Sequence, residues 1–506
     1  MHIKRLFGVM VLNLGLALAL LAGLRTAQAA PMGGGGLDWY VSASGNNTTC
    51  DSWATACHTI SEAYNKAGSG DRIHVAAGTY NEHLFINKSL SITGTHPDRG
   101  LVTIVNGSAS GAVFTINSSQ TVTLAGMTIH NSQPTSYGGG ISNHGTLRLE
   151  DVLISNVNNT EYGGGLFNDG TATLNDVTIS HNTAMTYAGG IYNQAGGVLT
   201  LTQVTVHGNT ATGGPGGGVL NFGSVIMSDI VISGNVAGGA GGGFYTQGSA
   251  NLTRVTLDGN TAQLDGGGGI ANDGGLTLVD VTLYSNTAPS GGGLYNYTNG
   301  NASLTNVTLS GNTATADRGG GIWNQNGTMY LINVTFSGNT AQLDGGGIYN
   351  QSGTLDVTNA TIAYNTVVTS AATMAGGIAN LTGGSANVEN SIIAFNDNRN
   401  CSGVISSIYN RNLDSNGDNT CQVDDDLVGY DPLLGPLRDN GGETWTHALL
   451  AGSWAIDNGA NAVCPSTDQR GFHRPIIGTP TTVAVCDIGA FEYGPQVFLP
   501  LVLRSY

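Results

Sequence analysis

The chain has 506 residues, enough for several globular domains or one long repeat array. Its 16 basic and 33 acidic side chains give a formal net charge of −17, and only 10% of residues are charged. A surface of that sign repels polyanions, which excludes a nucleic-acid partner, and it leaves most of the exterior to Ser, Thr, Asn and Gly.

Residues 1–29 read as a secretory signal peptide. Lys4 and Arg5 supply the positive end, Met10 to Leu24 the apolar stretch, and Ala27-Gln28-Ala29 the small-residue cleavage site. The apolar run is too short to favour a permanent membrane span. Without this segment, 13 basic residues face 33 acidic ones, a charge of −20. Residues 30–70 form an expected N-terminal cap, in which Ile60, Ala63, Tyr64 and Ala67 stand at helical spacing as a plug. Such a plug is needed because an open stack of strands pairs edge to edge with its copies.

From Gly138 to Asn380 a glycine triplet, an aliphatic residue, a variable residue and Asn return roughly every 26 residues, the mark of a solenoid. The Asn positions are Asn143, Asn168, Asn193, Asn221, Asn272, Asn296, Asn324, Asn350 and Asn380, with Thr246 in the one gap. A second row keeps step: Asn182, Asn209, Asn235, Asn260, Asn286, Asn312, Asn339, Asn365 and Asn396. One repeat, Gly163 to Ala184, carries three short segments of alternating apolar and polar residues: Gly165–Asn168, Ala172–Leu174 and Val177–Ile179. Period-two alternation with Gly, Asn and Asp at the turns predicts strands, and no 3.6-residue pattern competes with it. The fold expected over residues 71–400 is therefore all-β: a right-handed, single-stranded parallel β-helix of three strands per coil. At about 4.8 Å per coil, about 12 coils make a rod about 60 Å long.

The predicted lumen holds Leu166, Ile191, Ile270 and Ile322 from the first strand, Leu174, Leu201 and Leu278 from the second, and Ile179, Val206 and Phe336 from the third. The Asn rows read as ladders, each amide donating to the Asn one coil away, and the glycine triplets as tight corners with positive φ. Both are architectural. A glycine string with no following helix or Lys holds no phosphate, and no cofactor is expected.

Asp71-Arg72-Ile73-His74-Val75-Ala76-Ala77-Gly78-Thr79-Tyr80, with Trp39-Tyr40-Val41-Ser42 before it, resembles the N-terminal cap of the pectin-lyase-like β-helix superfamily. The GGGIxN repeats are similar to those of polymorphic outer-membrane proteins. Toward the end come Asp431–Leu437, Asp439-Asn440-Gly441-Gly442, Thr446–Leu450, Asp468-Gln469-Arg470-Gly471 and Cys486–Tyr493. This succession closely resembles the choice-of-anchor Q domain of bacterial surface proteins. The resemblance implies a C-terminal module over 401–493 that ends the rod, and a location that is secreted or on the bacterial envelope. Residues 494–506 form an apolar tail, either a sorting signal associating with the envelope or a plain terminal strand.

Six cysteines fall into local pairs, Cys50 with Cys57, Cys401 with Cys421 and Cys464 with Cys486. In an exported chain this spacing suggests disulfides, although six cysteines allow about 15 pairings.

Lyases and glycosidases need carboxylates clustered around a metal or facing one another across a groove. Asp265, Asp317 and Asp344 share one corner position, but Ser290 interrupts them and Arg318 adjoins Asp317. Asp151, Asp176, Asp229 and Asp280 form a row that Asn306, Asn333, Asn359 and Asn390 continue, so the position asks for a turn acceptor rather than an acid. Asp414, Asn416, Asp418 and Asp425 approximate a calcium loop without its glycine. No catalytic residue and no metal ligand are assigned, and a polysaccharide lyase or hydrolase remains the alternative to a binding protein; a plain structural spacer is the third reading.

The variable residue beside each ladder Asn reads Ser142, Phe167, Tyr192, Leu220, Tyr245, Ala271, Tyr295, Trp323, Tyr349 and Ala379. Alternation turns it away from the lumen. The expectation is an outward aromatic stripe of Phe167, Tyr192, Tyr245, Tyr295, Trp323 and Tyr349, joined by a short corner row of Tyr137, Tyr162 and Tyr187. Such a line suits stacking on polysaccharide or docking another surface protein; stacking among the rings themselves, or cover by a loop, is the competing explanation.

Overall fold

The structure, a computed structural model, describes residues 35–94, 103–107, 111–132, 137–159, 161–369, 371, 373–416, 420–421, 427–477 and 483–494. The signal peptide, Asp418, Asp425 and residues 495–506 of the apolar tail lie outside them.

The chain winds as a parallel β-helix. Three-residue strands such as Leu166–Asn168 stack into a 13-stranded sheet running from Leu84–Ile86 to Cys401–Ser402. From Ile141–Asn143 to Ile348–Asn350 each is followed by one or two strands of a second, 22-stranded sheet, and then by a two-residue strand in a third, nine-stranded sheet. The coil read as three segments differs in one respect. Its second and third segments are a single ten-residue strand, Thr171–Ser180, and the third sheet is made by Thr183–Ala184 at the return. The strand bends at Asp176, φ 53°, without leaving the ladder.

That bend corrects the reading of the Asp/Asn row. Asp151, Asp229, Asp280, Asn306, Asn333, Asn359 and Asn390 all sit at positive φ, and so do Gln203 and Arg254 in the same row. Gln and Arg are not turn acceptors of the Asx kind. What the position demands is a left-handed backbone, which Asp and Asn adopt most cheaply.

Every predicted lumen residue is buried in one continuous apolar cluster. The cross-coil register pairs like with like, for example Leu166 with Ile191 and Ile270 with Leu294. Both Asn ladders are present. In the first, Asn143 Nδ2 donates to Asn168 Oδ1 at 2.7 Å and Asn168 Nδ2 to Asn193 Oδ1 at 2.7 Å; Thr246 Oγ1 accepts from Asn221 where the row lacks Asn. In the second, each Asn donates from both its backbone N–H and its amide to the Oδ1 of the next coil, as Asn182 does to Asn209. That ladder ends at Asn400, whose amide donates to the Asp414 carboxylate at 2.6 Å. An acceptor-only group is the natural terminus for a row of donors.

The triplet glycines do not all serve positive φ. Gly267 has φ 76°, but its neighbour Gly268 is confined by approach: a Cβ there would lie 2.5 Å from the Thr287 nitrogen and 2.6 Å from the Gly292 carbonyl oxygen of the next coil. The corners touch backbone to backbone.

At the N-terminal end, helix Ile60–Lys66 buries Ile60, Ala63 and Tyr64, with Thr59 as its cap. Glu82 accepts from the backbone N–H groups of Ile60 and Ser61 at the same helix start. Strand Asp38–Val41, inside the range assigned to the cap, already pairs in parallel with Arg72–Val75. At the other end the ladders run past residue 400, through Leu413–Asp414 to Leu427–Val428. Disulfides join Cys50 to Cys57, Cys401 to Cys421 and Cys464 to Cys486, as the spacing suggested.

The segment after Val428 does not extend the rod. It turns back and lies along the outside of the last coils. Gln469 reaches two of them: its amide donates to Thr308 Oγ1 at 2.8 Å and its oxygen accepts from Thr335 Oγ1 at 2.6 Å. Further along, Thr361 Oγ1 accepts from the Ala490 N–H and Asn359 donates to the Asp487 and Gly489 carbonyls.

Candidate functional site

The variable row lies on the face opposite the lumen, as alternation requires, with Phe167, Tyr192 and Leu220 in register and Tyr295, Trp323 and Tyr349 in register. It is not an exposed stripe. Phe167 is 5% exposed, Trp323 7% and Tyr349 3%. Two thin apolar clusters outside the lumen account for this. One joins Phe167, Tyr192 and Leu220 with Ala188, Tyr162, Phe222 and Tyr245; the other joins Tyr295, Trp323 and Tyr349 with Ala375, Ala379 and Tyr297.

The physical reason is twofold. Successive rings are one coil apart and stack on each other, Phe167 with Tyr192 at 5.5 Å and Tyr295 with Trp323 at 5.3 Å between centroids. The glycine corner then folds across them: a Cβ on Gly266 would stand 2.1 Å from Tyr295 Cδ2. Only glycine lets the main chain cover the rings that closely. Burial pushes the Tyr192 phenol up to about 12 and raises those of Tyr295 and Tyr245 as well, so all three stay neutral.

The corner row behaves differently. Tyr137, Tyr162 and Tyr187 stack in sequence, 5.3 Å apart at both steps and within 14° and 18° of parallel. Tyr137 is 45% exposed and Tyr187 36%. The row rests on the covered rings, with Tyr137 4.9 Å from Phe167 and Tyr162 5.7 Å from Tyr192. It stops at Gly214, where a Cβ would meet Tyr187 Cδ1 at 2.2 Å. Beside it, His144 Nδ1 lies 2.8 Å from Asp169 Oδ2.

The corner aspartates are each engaged separately. Asp265 Oδ1 accepts from the Gly266 N–H, and Asp317 pairs with Arg318 at 2.8 Å. Asp344 Oδ1 accepts from the N–H groups of Gly345 and Ala375, and burial raises its carboxyl above the usual range. Arg318 also lies over the Tyr349 ring, 5.2 Å from its centroid. No group of three or more His, Cys, Asp or Glu among the described residues is arranged to hold a metal ion. Asp414 is buried, capping the ladder and accepting from the Cys421 N–H.

Two exposed aromatics were not anticipated. Tyr364 and Phe395 stack at 5.3 Å, and Tyr364 also meets His447 of the returning tail at 5.4 Å. Both have positive φ, 60° and 57°, which is rare for bulky side chains. The signal was available: the residue preceding the second-row Asn is Gly in most coils, as in Gly259-Asn260 and Gly338-Asn339, but aromatic in Tyr364-Asn365 and Phe395-Asn396.

In the tail a buried ionic group holds the chain together. Arg474 donates to the carbonyls of Asp487 and Gly489 and lies 3.5 Å from Glu492. Arg470 pairs with Asp468 at 2.6 Å and sits between the rings of Phe472 and Phe491. Burial first, then the nearby Glu492, pushes the Asp487 carboxyl up to about 8.

Residues 111–288 match the family described as the right handed beta helix region, and residues 333–351 match the Chlamydia polymorphic membrane protein repeat. No curated protein matches the chain. Among solved structures it is similar to pectate lyase Pel9A, at 15% identity over 90% of this chain and 96% of that one with a TM-score of 0.34. It is also similar to the PL6 family alginate lyase AlyGC, at 14% identity over 91% and 59% of the two chains with a TM-score of 0.39. A third similar structure, the GH136 lacto-N-biosidase from Eubacterium ramulus, shares 10% identity over 73% and 67% with a TM-score of 0.28. Together with the stacked ladders, the family match makes this chain a right-handed parallel β-helix.

Proposed function

We propose that the chain is an exported, non-enzymatic β-helix displayed at the cell surface, which binds a polysaccharide or another surface protein through Tyr137, Tyr162 and Tyr187. One observation carries this reading: these three rings form a parallel, half-exposed stack along a corner of the rod. Three edges in a line offer a repeating ligand the same contact at each step, and aromatic faces and edges are the usual partners of sugar C–H surfaces. Phe167 and Tyr192 of the covered row lie beneath them as support. Three disulfides favour an oxidising, extracytoplasmic setting. In this reading residues 401–493 are a choice-of-anchor Q-type module, whose part after Val428 is a clasp on the last coils.

The test is a glycan array together with a panel of polysaccharides, run on the intact protein and on Tyr137→Ala/Tyr162→Ala/Tyr187→Ala. Binding lost in the triple variant supports the reading, and binding that survives it removes the row as the site. Release of unsaturated or reducing sugars from any polymer in the panel would decide for a lyase or hydrolase instead.

A further inference from the structure

The long strand of a coil ends on a residue turned away from the lumen, and a corner residue then leads to the second-row Asn. Small residues fill both places in Ser233-Gly234-Asn235, Ser310-Gly311-Asn312 and Ser337-Gly338-Asn339. Two adjoining coils differ. One reads Ser180-His181-Asn182 and the next His207-Gly208-Asn209, with Ser180 and His207 in register. A His therefore stands in the corner column of one coil and in the strand column of the next, on a diagonal.

The two rings meet. Their centroids are 4.9 Å apart and their planes are perpendicular, at 89°. The backbone fixes the pair, because the His181 N–H donates to the His207 carbonyl at 3.1 Å. Gly208 makes room for it: a Cβ there would lie 3.1 Å from His181 Cδ2 and 3.2 Å from Nε2, so the Nε2 side of the His181 ring is the part that reaches the next coil. His181 is exposed and His207 half-buried, so solvent and small ions reach both. Neither ring has a hydrogen-bond partner among the described residues. By contrast, Asp38 holds His74, Asp169 holds His144, and Ser337 and the Gly435 carbonyl hold His447.

Partial burial, and then the neighbouring His181, lower the pKa of His207, so it is neutral at pH 7 and keeps a lone pair. Imidazole nitrogens are ligands for divalent transition metals, whereas Mg²⁺ and Ca²⁺ take oxygen. The spacing fits such an ion. With Zn–N bonds of about 2.0 Å at a tetrahedral angle, the centroids of two imidazoles on one ion stand about 5 Å apart. We infer that His181 and His207 form an open binding site for one divalent transition-metal ion of the zinc, nickel and copper class, with water in the remaining positions. Two protein ligands are fewer than a closed structural centre uses, so the ion exchanges with solvent while it ties one coil to the next. The site is separate from both aromatic rows and depends on neither.

Calorimetric titration of the intact protein, carrying no added histidine tag, with zinc chloride tests this, and side-chain ¹⁵N–¹H correlation spectra identify the rings that coordinate. Zinc binds, the ring nitrogens of His181 and His207 shift together, and calcium and magnesium bind at least about 100-fold more weakly. His181→Asn and His207→Ser install the residues that the preceding coil carries in the same columns, Asn156 and Ser180, so each keeps the melting temperature of the metal-free protein. Each weakens zinc binding at least about tenfold. A folding defect in one variant leaves the other to decide. His58→Ala, which removes an exposed imidazole from the N-terminal segment, leaves zinc binding at the pair unchanged. No zinc binding, calcium binding of equal strength, zinc binding that survives either substitution in a folded variant, or ring shifts confined to other histidines overturns the proposal.

Discussion

Replacing Asn260 by Ala tests the ladder directly. The Asn260 side chain makes four hydrogen bonds while fully buried: Nδ2 donates to the Ile232 carbonyl at 2.9 Å and to Asn286 Oδ1 at 3.0 Å, and Oδ1 accepts from the N–H and the amide of Asn235, both at 3.0 Å. After the substitution two partners keep other bonds. Asn235 Nδ2 still reaches the Val206 carbonyl, and Asn286 Oδ1 still accepts from the backbone N–H of residue 260. The Asn235 N–H loses its bond outright. At about 1–3 kcal/mol for a buried group left unmatched, the loss is about 1–3 kcal/mol. Urea unfolding gives the total, and amide hydrogen exchange gives the location, because the Asn235 N–H should become the fastest-exchanging amide of its coil. Asn260→Asp should cost more than Ala, since it keeps the acceptor but turns a buried charge toward the Ile232 carbonyl. Asn272→Thr in the other row should cost less, because Thr246 already fills that role. A loss under about 1 kcal/mol for Asn260→Ala, with the Asn235 amide still protected, would refute the assignment of the ladder as a principal source of stability.

Trp323→Ala should destabilise the rod by about 3–5 kcal/mol, as expected for a covered ring, and leave any glycan binding at the corner row intact; the reverse pattern in melting and binding assays would return the row to the surface. Gly268→Ala should cost about 1–3 kcal/mol by forcing two coils apart, whereas Gly275→Ala, with nothing within 4 Å of the new methyl, should be close to neutral in the same unfolding assay. Opening the Cys401–Cys421 bridge, whose partners are 20 residues apart, should cost about 3 kcal/mol and be read as faster proteolysis at the last coils. The Asp487 carboxyl, held neutral up to about pH 8, stabilises the docked tail fully below its unfolded value near 3.8; that contribution is lost as pH rises through the interval between the two. Protection of the Tyr493 amide, corrected for intrinsic exchange, should therefore fall across that interval, and a rise would reverse the sign.

The lumen was legible because each coil repeats one decision. Leu166, Ile191 and Ile322 share a position, and a row of one residue type has only one place to stack. The cover over Trp323 was not legible in the same way. Alternation states which side of a strand a residue takes, but not whether another part of the chain crosses that side. The crossing depends on glycines such as Gly266, whose second role shows only when their distance to a ring is known. The returning tail was still further from reach. Its bonds join residues 70 to 162 positions apart, such as Asn390 to Ala460 and Gln469 to Val307, and they follow no period. Tyr364 and Phe395 stood in plain view as exceptions to a Gly-Asn pair, yet their meaning needed the left-handed backbone beneath them.

The returning tail also fixes how the rod would bear load. Phe491 packs with Ile392 and Leu413 on the flank, and Arg470 donates to the Glu492 carbonyl there, so the chain reaches Gly494 beside the coils and not at their tip. A pull applied at that point is met in shear by the bonds from Gln469 to Thr308 and Thr335 and from Asn359 to Asp487 and Gly489, all stretched together. Bonds loaded in parallel break as a set, whereas the strands of a terminal coil would unzip one after another.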